Sequence, residues 1–343
     1  MFILVGFMNL LEKLQLAYHK IRAAKKILIV GHTSPDADAL ASIGAMIEIS
    51  TNCGSEIFAY ADKKIPGAYD FIPNEDLVFG QAPDDLKNFD VILILDCGSI
   101  SRTGLEERLR KLKKVAQDGA LTVLPYIIEF DHHLPQEDYA DLEIRLADKA
   151  STTEIIYQFL KVNNLEITRS LANCILIGLM TDTGHFLHAN SSREAIAVAS
   201  EMLLRGASFP KIIQHTVYNK SFVSLKIWGR ALENMHFNPD TGLASSALTA
   251  NELKELLLPA GGETDADLFS DIASFLSTLS GVRVALFLRE EGNRVKGSLR
   301  TNDDEADVAA IAKNWGGGGH KKAAGFSVEG RIAKTETGWK IVK

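Results

Sequence analysis

The chain has 343 residues, enough for two domains each with its own core. Its 46% apolar and 24% charged content is ordinary for a folded soluble protein, and a net charge of −7 argues against a general nucleic-acid coat, which rests on basic surface. An anionic substrate stays open, because bound metal ions reverse the local potential.

Cys53, Cys97 and Cys174 are far apart and form no CxxC pair. Neither a disulfide framework nor a structural zinc site is expected, and a reducing cytoplasm is the simpler setting. Met1 to Leu10 is apolar but stops at Glu12 and Lys13, too soon to span a bilayer. No cleavage signature follows it. It leads into a helix expected over 10–24, with Met8 as an alternative start. No membrane segment is expected elsewhere.

Ile27 to Val30 reads as a buried strand. Gly31 breaks it, and a polar turn then presents His32, Asp36 and Asp38. An imidazole and two carboxylates at the carboxyl edge of a strand suit a divalent metal of mixed nitrogen and oxygen preference. The plainer alternative is a capping turn, with Ser34 or Asp36 starting a helix over 38–49. A second strand is expected over 56–60, then a loop rich in turn residues with Pro66, Gly67, Pro73 and Asn74.

Val91 to Leu95 is another apolar run and ends on Asp96. The segment 96–104 turns into a very charged helix over 105–117, whose charged face is expected in solvent. Tyr126 to Phe130 ends on Asp131-His132-His133. Three apolar runs thus stop on potential ligands, although Asp131 could instead orient a neighbouring imidazole. Helices are expected over 153–162 and 169–180. The second is mostly apolar and delivers Asp182, a costly residue at a buried helix end unless paired or ligating. Its plain alternative is a helix terminus closed by Thr181 and Asp182, with Gly184 beyond.

Helices over 191–206 and 210–219 suit a connector. From Leu225 shorter strands (243–248, 282–288, 296–300) mix with helices (251–257, 266–279, 306–314), the pattern of an α+β lobe. Near its end four glycines, Gly316 to Gly319, precede His320, Lys321 and Lys322. Closing a helix takes one glycine, so the run suggests a concave nest of backbone N–H groups for an anion. A flexible linker is the alternative. Arg300, leaving a strand, is a second candidate anion clamp, though an isolated arginine at a strand end is more often a surface residue.

His32-x-x-x-Asp36-x-Asp38, Asp96, Asp131-His132-His133 and Asp182 resemble the four motifs of the DHH phosphoesterase superfamily. Gly316 to Gly325 resembles the signature of its accessory DHHA1 domain. Together the two segments cover nearly the whole chain, in the layout of compact bacterial oligoribonucleases that also dephosphorylate 3′-phosphoadenosine 5′-phosphate (pAp). The resemblance implies an α/β fold: a doubly wound, mostly parallel DHH domain (1–190), a helical linker (191–224) and a smaller α+β DHHA1 domain (225–343). It implies two divalent ions, usually manganese, with magnesium, cobalt or zinc as alternatives. His32 and Asp36 would hold one ion, Asp38, His132 and Asp182 the other, and Asp96 both. His133, supported by Asp131, would assist the leaving group. Arg300, Gly317, Gly318, Gly319 and His320 would hold the terminal phosphate or nucleotide of a short single-stranded RNA. Ala37 where glycine is frequent, Gly98-Ser99 without an acid, and four glycines instead of three depart from the pattern and bear on substrate preference.

Two cations about 4 Å apart need shared carboxylates, and they can lower the pKa of a water between them. Histidine ligands shift preference from magnesium toward manganese, cobalt or zinc. Other activities of the superfamily are the alternatives: single-strand exonuclease, pyrophosphatase or cyclic-dinucleotide phosphodiesterase. A non-catalytic nucleotide-binding regulator is the reading from another class. No membrane partner is expected, and a homodimer is left open.

Overall fold

The Asn9 side chain accepts the Glu12 N–H and the Glu12 side chain accepts the Asn9 N–H, and this capping box starts α1 (Leu10–Ala23). The computed structural model describes residues 8–62, 69–117, 124–135, 137–218, 221–257, 266–269, 271–336 and 338–342. The apolar start and Pro66 and Gly67 of the expected loop lie outside them. Two compact units, residues 1–218 and 219–343, make up the chain.

In the first unit β1 (Lys26–Val30) is followed by α2 (Ala37–Asn52), β2 (Glu56–Tyr60), β3 (Val78–Phe79) and β4 (Val91–Leu95). Then come α3 (Glu106–Gln117), β5 (Tyr126–Asp131), β6 (Leu142–Arg145), α4 (Thr152–Val162), α5 (Arg169–Asp182), α6 (Arg193–Leu204) and α7 (Phe209–Thr216). The strands pair in parallel in the order β3-β2-β1-β4-β5-β6. Such sheets bury both faces, which is why β1 and β4 are unbroken apolar runs. Ile27, Ile29, Leu93 and Phe130 pack against α1, α2, α4 and α5, while Leu28, Ile92 and Ile94 meet Leu109 and Leu112 of α3. The doubly wound expectation is met. The strand order reverses between β1 and β4, the place where open α/β sheets leave a crevice beyond the strand ends.

The short strands β3 and β6 were not expected from the sequence. Within the stretch 191–224, α6 and α7 pack into the first unit through Ala195, Val198, Met202 and Ile212. The boundary between the units falls inside that stretch, at 218/219.

The second unit opens with α8 (Phe222–Glu233), capped by Ser221, then β7 (His236–Asn238), β8 (Leu243–Leu248), α9 (Ala250–Leu257) and α10 (Ile272–Leu276). It continues with β9 (Val284–Glu291), β10 (Arg294–Arg300), α11 (Val308–Lys313), β11 (Gly318–His320) and β12 (Ala323–Glu329), and ends in the hairpin of β13 (Arg331–Thr335) and β14 (Gly338–Val342). Its main sheet is mixed, in the order β11-β12-β10-β9-β8-β7. One face packs on α8, α9 and α10 through Ala285 and Phe287, the other on α11 and the hairpin through Leu299 and Phe326. The single helix expected over 266–279 is instead a 3₁₀ turn (Ala266–Phe269) and the short α10, with Asp271 in left-handed backbone (φ 67°) at the start of α10.

Candidate metal centre

Asp36 serves α2 as its N-cap, accepting the Ala39 N–H at 3.1 Å, and the expected capping role and the ligand position coincide. Four residues earlier, His32 is buried, and its Nδ1 meets the Thr33 carbonyl at 2.9 Å. That bond places the ring proton on Nδ1. Nε2 is then a buried lone pair with no hydrogen-bond partner, 3.6 Å from Asp36 Oδ2. An unsatisfied buried acceptor is costly unless a cation takes it.

Asp38, one turn into α2, is completely buried. Its carboxylate accepts the Thr152 N–H at 2.7 Å and the Thr153 N–H at 3.2 Å, the first amides of α4. A helix N-terminus is a natural seat for a carboxylate. Even so, burial and the nearby charge of Asp182 push the Asp38 carboxyl up to about 8.

Asp96 leaves β4 in left-handed backbone (φ 59°), a conformation rare outside glycine, and is almost fully buried. Its Oδ1 accepts the Thr152 hydroxyl at 2.9 Å and lies 3.5 Å from His132 Nε2 and 3.6 Å from His133 Nδ1. Burial, then the charges of Asp38 and Asp36, raise its carboxyl well above the usual range. His132 Nε2 also meets Asp182 Oδ2 at 3.1 Å, at the last residue of α5. Burial opposes the charge on His132, but the hydrogen bond to Asp182 and the charges of Asp182, Asp96 and Asp38 together outweigh it and raise this imidazole well above the usual histidine value.

Asp131 acts differently. One of its oxygens accepts the His133 backbone N–H at 2.8 Å and faces His133 Nδ1 at 2.7 Å, while the other accepts the Gly98 N–H at 2.5 Å. Burial works to raise this carboxyl, yet the His133 hydrogen bond and charge hold it down at about 2.

Donor atoms within 4.8 Å of one another form three groups among the described residues: His32, Asp36 and Asp96; Asp38, His132 and Asp182; and Asp96, His132 and His133. The geometry thus brings together all six residues expected as ligands, with His133 beside them and Asp131 behind it. Four crowded carboxylates, two of them with raised pKa, and the orphaned His32 Nε2 fit divalent cations.

In the second unit Arg300 and His320 each stand opposite Ala323, from β10 and β11. Directly opposed residues share a face, so both lie on the same side of the sheet with a small residue between them. Arg300 Nη1 donates to its own Leu299 carbonyl. The expected nest is instead an edge strand, in which Gly318 and Gly319 pair with Gly325 and Ala324. Three of the four glycines have reasons in the fold. Gly316 closes α11 in left-handed backbone, and a Cβ on Gly317 or Gly319 would strike the β12 backbone at 2.1 or 2.5 Å. Gly318 meets nothing within 4 Å.

Residues 26–179 match the model of the DHH family N-terminal domain, and residues 250–337 that of the DHHA1 domain. The chain thus carries a DHH-family domain and a DHHA1 domain. It is 26% identical to a bifunctional oligoribonuclease and PAP phosphatase NrnA of Thermus thermophilus, over 93% of this chain and 89% of that protein. It is 22% identical to the Bacillus subtilis protein of the same description, over 88% and 89%. Among solved structures, an exopolyphosphatase-related protein from Bacteroides fragilis superposes with a TM-score of 0.78 at 25% identity, over 92% of this chain and 90% of that one.

Several residues of the DHH centre escaped the sequence reading. Thr152 and Thr153 hold Asp38 and Asp96, and a signal was present, since Ser151 and Glu154 have the spacing of a capping box and mark a helix N-terminus. Gly178 of α5 passes so close that a Cβ there would lie 2.0 Å from Asp38 Oδ1. Nothing local in the sequence marks that contact.

Proposed function

We propose that this chain is a divalent-metal phosphoesterase that hydrolyses short oligoribonucleotides to mononucleotides, with pAp as a second substrate. It is a hydrolase of the phosphodiesterase and exoribonuclease type, as its family and curated relatives indicate. The observation that carries the reading is Asp96: one carboxylate stands with His32 and Asp36 in one group and with His132 in another. His32 and Asp36 are assigned to one ion, Asp38, His132 and Asp182 to the second, and Asp96 to both. When bound, such ions supply the positive charge that an in-line displacement at phosphorus needs.

The chain's own groups do the rest. Thr152 and the α4 amides fix Asp96 and Asp38, so that the donors need no rearrangement during the reaction. Asp131 fixes the ring of His133 through Nδ1 and assigns Nε2 the transfer of a proton to the departing ribose oxygen. His320 and Arg300 are assigned to the terminal phosphate or nucleotide, with Gly317, Gly318 and Gly319 as bare backbone beside it. The net charge of −7 suits a short substrate, which needs a few cationic contacts and no basic track.

The test is a time course of manganese-loaded protein on labelled RNAs of two to about twenty-four nucleotides, with pAp, pyrophosphate and cyclic di-AMP alongside. Mononucleotides released fastest from the shortest RNAs support the reading. Equal rates on long and short RNA, or activity confined to pyrophosphate or the cyclic dinucleotide, would reject it.

A further inference from the structure

Arg102 lies in the short 3₁₀ turn that follows β4 (Ile100–Thr103). Its backbone is tied into the centre, since its carbonyl accepts the Thr33 N–H at 2.7 Å, next to His32. Its guanidinium reaches back over Gly98. A Cβ built on Gly98 would lie 3.2 Å from Arg102 Nη1 and 3.3 Å from His133 Cγ, so cation and imidazole converge on the bare face of one glycine. Gly98 itself is held by Asp131 and has left-handed backbone (φ 69°), which suits glycine.

The surroundings are acidic, yet among the described residues no carboxylate forms an ion pair with Arg102. A half-buried guanidinium with its fork uncommitted, beside the imidazole assigned to the leaving group, is suited to bidentate capture of a phosphate.

We propose that Arg102 is a substrate-binding and transition-state residue of this centre, its guanidinium taking non-bridging oxygens of the scissile phosphate on the His133 side. The assignment rests on the phosphoesterase reading above. It gives the centre a fixed cation supplied by the protein itself. Charge that develops on the phosphoryl oxygens as the bond to the leaving oxygen breaks then meets Arg102 on one side.

The experiment compares wild type with Arg102→Gln, Arg102→Lys and Arg102→Ala, all loaded with manganese. Four quantities are read: kcat and KM on pApA, the affinity for AMP by calorimetry, and manganese affinity. Loss of the guanidinium is expected to lower kcat/KM by about 100-fold, in the range of a lost oxyanion donor. AMP binding should weaken in Arg102→Gln while manganese affinity holds. Arg102→Lys should recover only part of the rate, and added guanidinium ion should restore turnover to Arg102→Ala. A purely structural role moves stability and manganese affinity and gives no such rescue. Equal AMP affinity in wild type and Arg102→Gln, or no AMP binding by the wild type, overturns the proposal. A wild type that binds AMP through Arg102 but cleaves neither pApA nor pAp overturns the oligoribonuclease reading instead.

Discussion

His133 Nδ1 stands 2.7 Å from Asp131 Oδ1, and the other oxygen of the same carboxylate holds the Gly98 N–H. One buried side chain therefore sets the tautomer of the imidazole and the path of the loop beneath it. Asp131→Asn keeps the shape and removes the charge that holds the ring proton on Nδ1. Its kcat on pApA should fall by about 100-fold or more, the usual worth of a positioned acid. KM and manganese affinity should change little. Rate measurements paired with a manganese titration check this; a kcat near wild type would remove His133 from the proton-transfer role.

Gly178 offers a test of the centre's packing from behind. A methyl group there would meet Asp38 Oδ1 at 2.0 Å and Thr153 Oγ1 at 2.2 Å. Gly178→Ala should cost about 1–3 kcal/mol of stability through overpacking, although alanine favours helix over glycine. It should also weaken manganese binding. Urea unfolding and a metal titration read the two effects.

Proton and metal compete for the same carboxylates, and the sign of the pH effect follows. The Asp38 carboxyl is raised from 3.8 to about 8 in the folded protein, by burial first and by Asp182 second. The folded state thus binds a proton that the unfolded chain has already released, and stability falls with rising pH. The contribution is fully present below about 4 and lost as pH passes through about 8. His132, also raised, acts in the same direction. In chelator, Tm should drop between pH 5 and 8.5; with manganese, which takes the proton's place, the drop should shrink. Melting curves with and without the ion decide it, and a metal-free Tm that rises over this window would contradict it.

In the second unit, His320→Ala and Arg300→Ala should raise KM for short RNA by about tenfold or more, the worth of a hydrogen bond to a charged group, with a smaller change in kcat. Gly318 has no neighbour that a methyl group would strike, so Gly318→Ala should leave stability unchanged. Steady-state kinetics and thermal melts measure these. Unchanged KM in both His320→Ala and Arg300→Ala would take substrate binding away from this sheet face.

The strands that frame the centre were legible because parallel sheets demand unbroken apolar runs, and each run stops abruptly at a break that leads to a potential ligand: Val30 at Gly31 ahead of His32, Leu95 at Asp96, Phe130 at Asp131. β6 was not, because Leu142 to Arg145 alternates buried and half-buried residues over only four positions. The glycine run misled toward a nest because its causes are tertiary: Gly317 and Gly319 are shaped by β12, several residues on. Thr152, Gly178 and Arg102 stayed hidden for the same reason. Each acts on a partner that the chain brings near only by folding, such as Thr152 on Asp96, 56 positions away.

The central claim is that one carboxylate, Asp96, serves two ions. The most direct measurement is manganese stoichiometry, by elemental analysis and electron paramagnetic resonance, for wild type and Asp96→Asn, with turnover of pApA on the same samples. Two coupled manganese ions per wild-type chain, with loss of the coupling and of nearly all turnover in Asp96→Asn, is the expected result. A single ion in the active wild type, or two coupled ions and ordinary turnover in Asp96→Asn, would contradict it.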